Sequence, residues 1–95
     1  LSEGWPYQAY LDGAALDGAV VRSRRPGDRI HPLGGPGSKK LQDLYVDRKI
    51  DRADRELPVI ARGSEILFAV GAGLSERAKA AFGGRVVRVR YQRRS

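Results

Sequence analysis

Apolar and polar positions alternate in short blocks along this chain, and a period of two predicts a strand wherever it holds. Tyr7 to Asp12 and Ala19 to Ser23 fit that pattern, and the turn-prone stretch around Asp17 and Gly18 predicts a hairpin between them. Pro58 to Arg62 and Glu65 to Val70 flank Gly63 and Ser64, the pattern of a second, tight hairpin. In Arg85 to Tyr91, Val86, Val87, Val89 and Tyr91 are interleaved with Arg88 and Arg90, which predicts a half-exposed strand with a basic outer face. Between these blocks the period lengthens. Leu41, Leu44, Tyr45 and the aliphatic stem of Arg48 recur at three and four while Lys40, Asp43 and Asp47 fall elsewhere, so an amphipathic helix is predicted over 38–47. Ser38 offers a hydroxyl for its N-cap, although no Glu or Gln completes a capping box. A short second helix is predicted over 75–82. Arg25 to Ser38 reads as a loop, because Pro26, Gly27, Pro32, Gly34, Gly35, Pro36 and Gly37 interrupt any regular element. The expected class is α+β: a small, mostly antiparallel β domain with one main helix.

Composition narrows the options. Ninety-five residues suit a single domain spanning 1–95, and 41% hydrophobic content argues against disorder. No apolar run approaches the ~20 residues of a membrane span, and no secretory leader is evident, so a cytoplasmic location is expected. The absence of cysteine removes disulfides, thiolate metal sites and thiol nucleophiles. The chain opens at Leu1, as expected of a piece of a longer protein. A net charge of +7 and a pI near 10.4, carried mostly by arginine, favour a polyanionic partner. Guanidinium forks onto phosphate and stacks on bases, so structured RNA fits best. The competing reading is a basic surface that serves only solubility.

Candidate chemistry is sparse. The sole histidine, His31, sits before Pro32 in the loop, and no serine lies in a Gly-x-Ser-x-Gly elbow, so hydrolytic catalysis is not indicated. Asp43 and Asp47 share a helix face, which reads as solvated surface with a Lys39–Asp43 pair rather than a Mg²⁺ site. Gly71-Ala72-Gly73-Leu74-Ser75-Glu76 imitates a dinucleotide fingerprint but carries Glu76 where the third glycine belongs, so a sharp turn is expected. The Gly34-Gly35-Pro36-Gly37-Ser38-Lys39-Lys40 run lacks Walker A spacing. It reads either as a seat for one backbone phosphate or as an ordinary loop with exposed lysines. Arg22, Arg24, Arg25 and Arg29 surround the Pro26-Gly27 turn, with Asp28 expected to pair bidentately with one of them and to fix the turn.

Val21-Arg22-Ser23-Arg24-Arg25-Pro26-Gly27-Asp28-Arg29-Ile30, then Gly37-Ser38-Lys39-Lys40-Leu41-Gln42-Asp43-Leu44, Asp47, Lys49-Ile50, Arg55 and Pro58-Val59 resemble the C-terminal domain of the tRNA(Ile)-lysidine synthetase family. The likeness spans roughly residues 22–79. It implies a fold shared with a domain of the phenylalanyl-tRNA synthetase β subunit. It also implies a non-catalytic, tRNA-binding role in an ATP-dependent ligase that attaches lysine to the wobble cytidine of the minor tRNA(Ile) with a CAU anticodon. ATP and Mg²⁺ would belong to that enzyme's catalytic domain, whose Ser-Gly-Gly-x-Asp-Ser loop is absent from this chain. Implied partners are the tRNA body towards the acceptor stem, the catalytic domain of the same enzyme, and a second copy through the parent enzyme. The alternative is a structural packing module with incidental charge. Expected RNA contacts are Arg22, Arg24, Arg25, Arg29, Lys39, Lys40, Lys49, Arg52 and Arg55. Asp51 stands where the family pattern suggests proline, and Tyr45 where it suggests phenylalanine.

Overall fold

The protein, here a computed structural model, is described over residues 4–92. Its strands are β1 Gln8–Asp12, β2 Val20–Arg22, β3 Arg29–Ile30, β4 Lys39–Lys40, β5 Val59–Arg62, β6 Glu65–Ala69, β7 Gly73–Leu74 and β8 Val86–Arg90. The helix is α1, Leu41–Asp47. A central sheet runs β2-β5-β6-β3-β4, with β7 also on β6, and a separate ribbon pairs β1 with β8. All pairings are antiparallel except β3 with β6. This is the expected α+β class, mostly sheet with one helix.

The central hairpin forms where the pattern placed it. Gly63 takes φ +61° at the turn, and Val59↔Ala69 and Arg62↔Glu65 set the register around a bulge at Ile60 and Ala61. Ile66 to Val70 is buried throughout because the sheet is covered on both faces, which is what a continuous apolar run without alternation requires. On one face Leu41, Leu44 and Tyr45 of α1 pack against Val59, Ala61, Ile66 and Ala69. On the other, Ala9 and Leu11 of β1, with Val89 and Tyr91 beside them, cover Ile60, Leu67, Phe68 and Val70. The sheet therefore lies between the helix and the ribbon.

Four sequence expectations need correction. The first two strands do not form a hairpin. A 3-10 turn at Gly13–Leu16, capped by the Asp12 carboxylate accepting from Ala14 N, redirects the chain. β1 then pairs with distant β8 (Tyr10↔Arg88) and β2 with β5 (Val21↔Ile60). The helix begins at Leu41 rather than Ser38. Ser38 Oγ is occupied by Arg29, Lys40 stands at the N-cap position, and Leu41 N donates to Asp28 O. The helix over 75–82 is absent because neighbours take its amides. Ser75 N donates to Leu67 O at 2.9 Å, Glu76 N to His31 O at 2.6 Å and Ala80 N to Tyr10 O at 3.3 Å. The Arg25–Ser38 loop contains strand β3, held to β6 by Arg29↔Glu65 and Ile30↔Ile66.

Candidate nucleic-acid interface

The Arg22–Asp28 pair organises the basic turn. Arg22 Nη2 donates to Asp28 Oδ1 at 2.8 Å and Nη1 to Oδ2 at 3.0 Å, while the amide of Arg25 reaches Oδ2 at 2.7 Å. The remaining donors of Arg22 reach Ser23 O and Gly63 O, tying the turn to the β5–β6 hairpin. Both side chains are almost fully buried, at 9% and 3% exposure. Burial alone would raise the Asp28 carboxyl. The hydrogen bonds from Arg22 and the Arg25 amide, with the nearby positive charge, outweigh burial and hold it below the usual carboxylate range. The same bonds to Asp28 raise Arg22 further.

With Arg22 committed inward, its neighbours line an open groove of about 590 Å³ formed by Ser23 to Asp28, Lys40 to Gln42, Arg55 and Glu56. Gly27 at φ +91° has open space around it, so the turn presents its backbone to the groove. The guanidinium of Arg25 and the ammonium of Lys40 make no side-chain hydrogen bond or ion pair among the described residues. Arg24 is held on three sides: Nε donates to Arg55 O at 2.9 Å, the guanidinium lies 5.4 Å from the Tyr45 ring centroid, and Glu56 is 3.7 Å away. Arg55 is fixed through Nε to Ile50 O at 2.9 Å. Glu56, which no sequence signal singled out, partly offsets the charge.

The β3–β4 pairing sorts the other candidates. Arg29 stands opposite Lys40, so both point the same way and are exposed, Arg29 being braced by Ser38 Oγ at 3.1 and 3.2 Å. Lys39 points the other way, beside Ile30, and pairs with Asp47 rather than Asp43. The two lysines of the glycine-rich run are thus separated onto opposite sides. Lys49 takes φ +53° and closes α1. Its amide donates to Val46 O and that of Ile50 to Tyr45 O, a Schellman pattern that forms without the proline suggested at Asp51. Lys49 and the exposed Arg52 do not line the groove. His31 also lies outside it. The Gly71-Ala72-Gly73 stretch is a sharp β6–β7 turn in which a Cβ on Gly73 would stand 2.4 Å from Arg48 Nη1. Arg48 Nη1 itself donates to Ala72 O at 2.7 Å, an anchoring role the sequence did not indicate.

Comparison with known proteins places the chain in a family. Residues 19–91 match the family described as the TilS substrate C-terminal domain. The chain is 48% identical over 75 residues to a tRNA(Ile)-lysidine synthase of Caldanaerobacter subterraneus subsp. tengcongensis, covering 77% of the chain and 16% of that protein. It is 42% identical over 90 residues to one of Symbiobacterium thermophilum, covering 92% and 19%. The chain therefore spans under a fifth of the length of these relatives. A crystal structure of a TILS C-terminal domain superimposes with a TM-score of 0.72 at 27% identity, over 97% of this chain and 74% of that one.

Proposed function

The chain belongs to the family of the TilS substrate C-terminal domain, and from that premise we propose that it is the tRNA-docking module of a tRNA(Ile)-lysidine synthase. Its groove takes the phosphate backbone of the tRNA body towards the acceptor stem. The lysine-transferring chemistry at the wobble cytidine of the CAU anticodon takes place in the catalytic part of the same enzyme. The observation that carries this reading is that Arg25 and Lys40, whose side chains have no direct ion-pair or hydrogen-bond partner among the described residues, line one groove, with Arg29 aligned beside Lys40. A fixed set of cations on a rigid turn recognises RNA by the spacing of its phosphates. Arg22 and Asp28 act as the scaffold of that turn.

ATP and Mg²⁺ belong to the catalytic part in this reading. The Gly71–Gly73 turn packs closely against Arg48, whose Nη1 donates to Ala72 O. No described helix is long and apolar enough to cross a membrane, and the parent enzyme is expected in the cytoplasm. A structural role receives support from one feature: Val20 and Val21, on the open edge strand β2, are 54% and 71% exposed, as a surface packed against another domain or a second copy would be.

Fluorescence anisotropy of the chain against tRNA(Ile) with a CAU anticodon and against a methionine tRNA, over a salt series, tests the proposal. Steeply salt-dependent binding is expected, and a preference for the isoleucine tRNA would place discrimination in this module. No binding to either at low salt would leave only the structural role.

A further inference from the structure

A second basic surface lies on the opposite side of the sheet from the helix. The β1–β8 ribbon covers that face with Ala9, Leu11, Val89 and Tyr91, so Tyr10, Arg88 and Arg90 point outward, while Gln8, opposite Arg90, is buried against the segment at Gly4. Tyr10, 41% exposed, stands directly opposite Arg88, with exposed Arg90 two positions further along β8. Neither arginine has a hydrogen bond or ion pair from its side chain among the described residues. At the near end, the loop into β8 carries Phe82, fully exposed at 108%, beside Gly83 at φ +83°. Unpaired Arg88 and Arg90 thus share a face with exposed Tyr10, and Phe82 stands exposed in the loop that leads into the same strand.

We propose that the outer face of the β1–β8 ribbon, with Tyr10, Phe82, Arg88 and Arg90, is a second RNA contact that takes an unpaired stretch of RNA. This deepens the RNA-docking reading and rests on it. Flat aromatic side chains offer bases a sequence-tolerant stacking partner, and guanidinium groups track the phosphates between them. The charge complementarity is direct, since no carboxylate pairs with Arg88 or Arg90 among the described residues. From Val86 to Arg90 the strand extends for about 13 Å, which matches two or three nucleotides of a single strand. The domain thereby has two separate RNA surfaces: the groove beside α1 for duplex backbone, and the ribbon for an unpaired segment flanking it.

The test uses the full 95-residue chain with two probes, a twelve-base-pair RNA hairpin and a single-stranded oligouridylate of twelve nucleotides, by anisotropy over a salt series. Phe82→Ser with Tyr10→Ser is expected to weaken oligouridylate binding about tenfold or more with its salt slope unchanged, while hairpin binding holds. Arg88→Ala with Arg90→Ala is expected to lower the single-strand slope by roughly 1.4. These positions are exposed, and circular dichroism checks that each variant remains folded. If the wild type binds both probes and all four substitutions leave oligouridylate affinity within twofold, the ribbon contact is overturned while the groove reading stands. If the ribbon variants keep RNA affinity but lose association with the rest of the enzyme, the face is a protein interface and the proposal is equally overturned. Failure of the wild type to bind either RNA overturns the docking reading and this inference together.

Discussion

Replacing Arg22 with methionine separates structural from RNA-facing arginines. The substitution keeps an unbranched stem but removes the fork that satisfies Asp28, whose side chain is 3% exposed. Asp28 would keep only the Arg25 amide as a donor, and Ser23 O and Gly63 O would lose their Arg22 donors. Removing one partner of a buried ion pair costs about 3–5 kcal/mol, because the remaining charge stays desolvated. A domain of this size has on the order of 5–15 kcal/mol in total, so the variant should lose a large part of its stability. In urea the midpoint should fall by about 1–5 M at constant slope, the loss divided by an m-value of ~1–3 kcal/mol/M. Pairing it with Asp28→Leu should recover most of the loss, since an apolar replacement leaves no unpaired charge. Arg25→Ala, by contrast, should stay within about 0.5 kcal/mol of the parent. A loss below about 1 kcal/mol for Arg22→Met would refute the view that this pair holds the turn.

Asp28 also predicts an acid limit. Its folded carboxyl lies below the unfolded value, so its contribution is complete above the unfolded value and is lost as pH falls through the folded one. Stability should drop below about pH 4, and Asp28→Asn, itself less stable at pH 7, should flatten that limb in pH-dependent urea titrations. Tyr45 Oη is buried without a hydrogen-bond partner among the described residues, and burial foremost raises its pKa, which keeps the phenol protonated. Tyr45→Phe should therefore be neutral or stabilising by up to about 1–2 kcal/mol, whereas a clear loss in Tm would mean the hydroxyl is satisfied. Lys49→Gly relieves a left-handed backbone and should add roughly 1 kcal/mol. An accompanying loss of RNA affinity would show that Lys49, although outside the groove, still meets phosphate.

Local signals were legible and long-range ones were not. The β5–β6 hairpin could be read because Gly63-Ser64 joins two apolar runs a few residues apart, and the core face of α1 because Leu41, Leu44 and Tyr45 recur at helical spacing. The start of α1 was misplaced because Ser38 is recruited by Arg29, and the amide of Leu41 by Asp28 O, interactions set by the tertiary turn. The false hairpin and the false second helix share a cause: β1 finds its partner almost eighty residues away, and the 75–80 amides are claimed by His31, Leu67 and Tyr10. That same rearrangement exposes Phe82, which helical spacing had placed at a helix end. The basic turn was visible as a cluster, and Asp28 as its pairing residue. Which arginine Asp28 would take, and that Lys39 and Lys40 would part, depended on register.

In the proposed complex Arg25 and Lys40 meet RNA phosphates from the groove. The most direct test is the dependence of tRNA affinity on salt for the parent chain and for Arg25→Ala with Lys40→Ala, fitted on logarithmic axes. Weaker binding is expected, with a slope reduced by roughly 1.8, about 0.9 for each phosphate left without its cation, and an unchanged thermal midpoint. An unchanged slope and affinity in a folded double variant would contradict it.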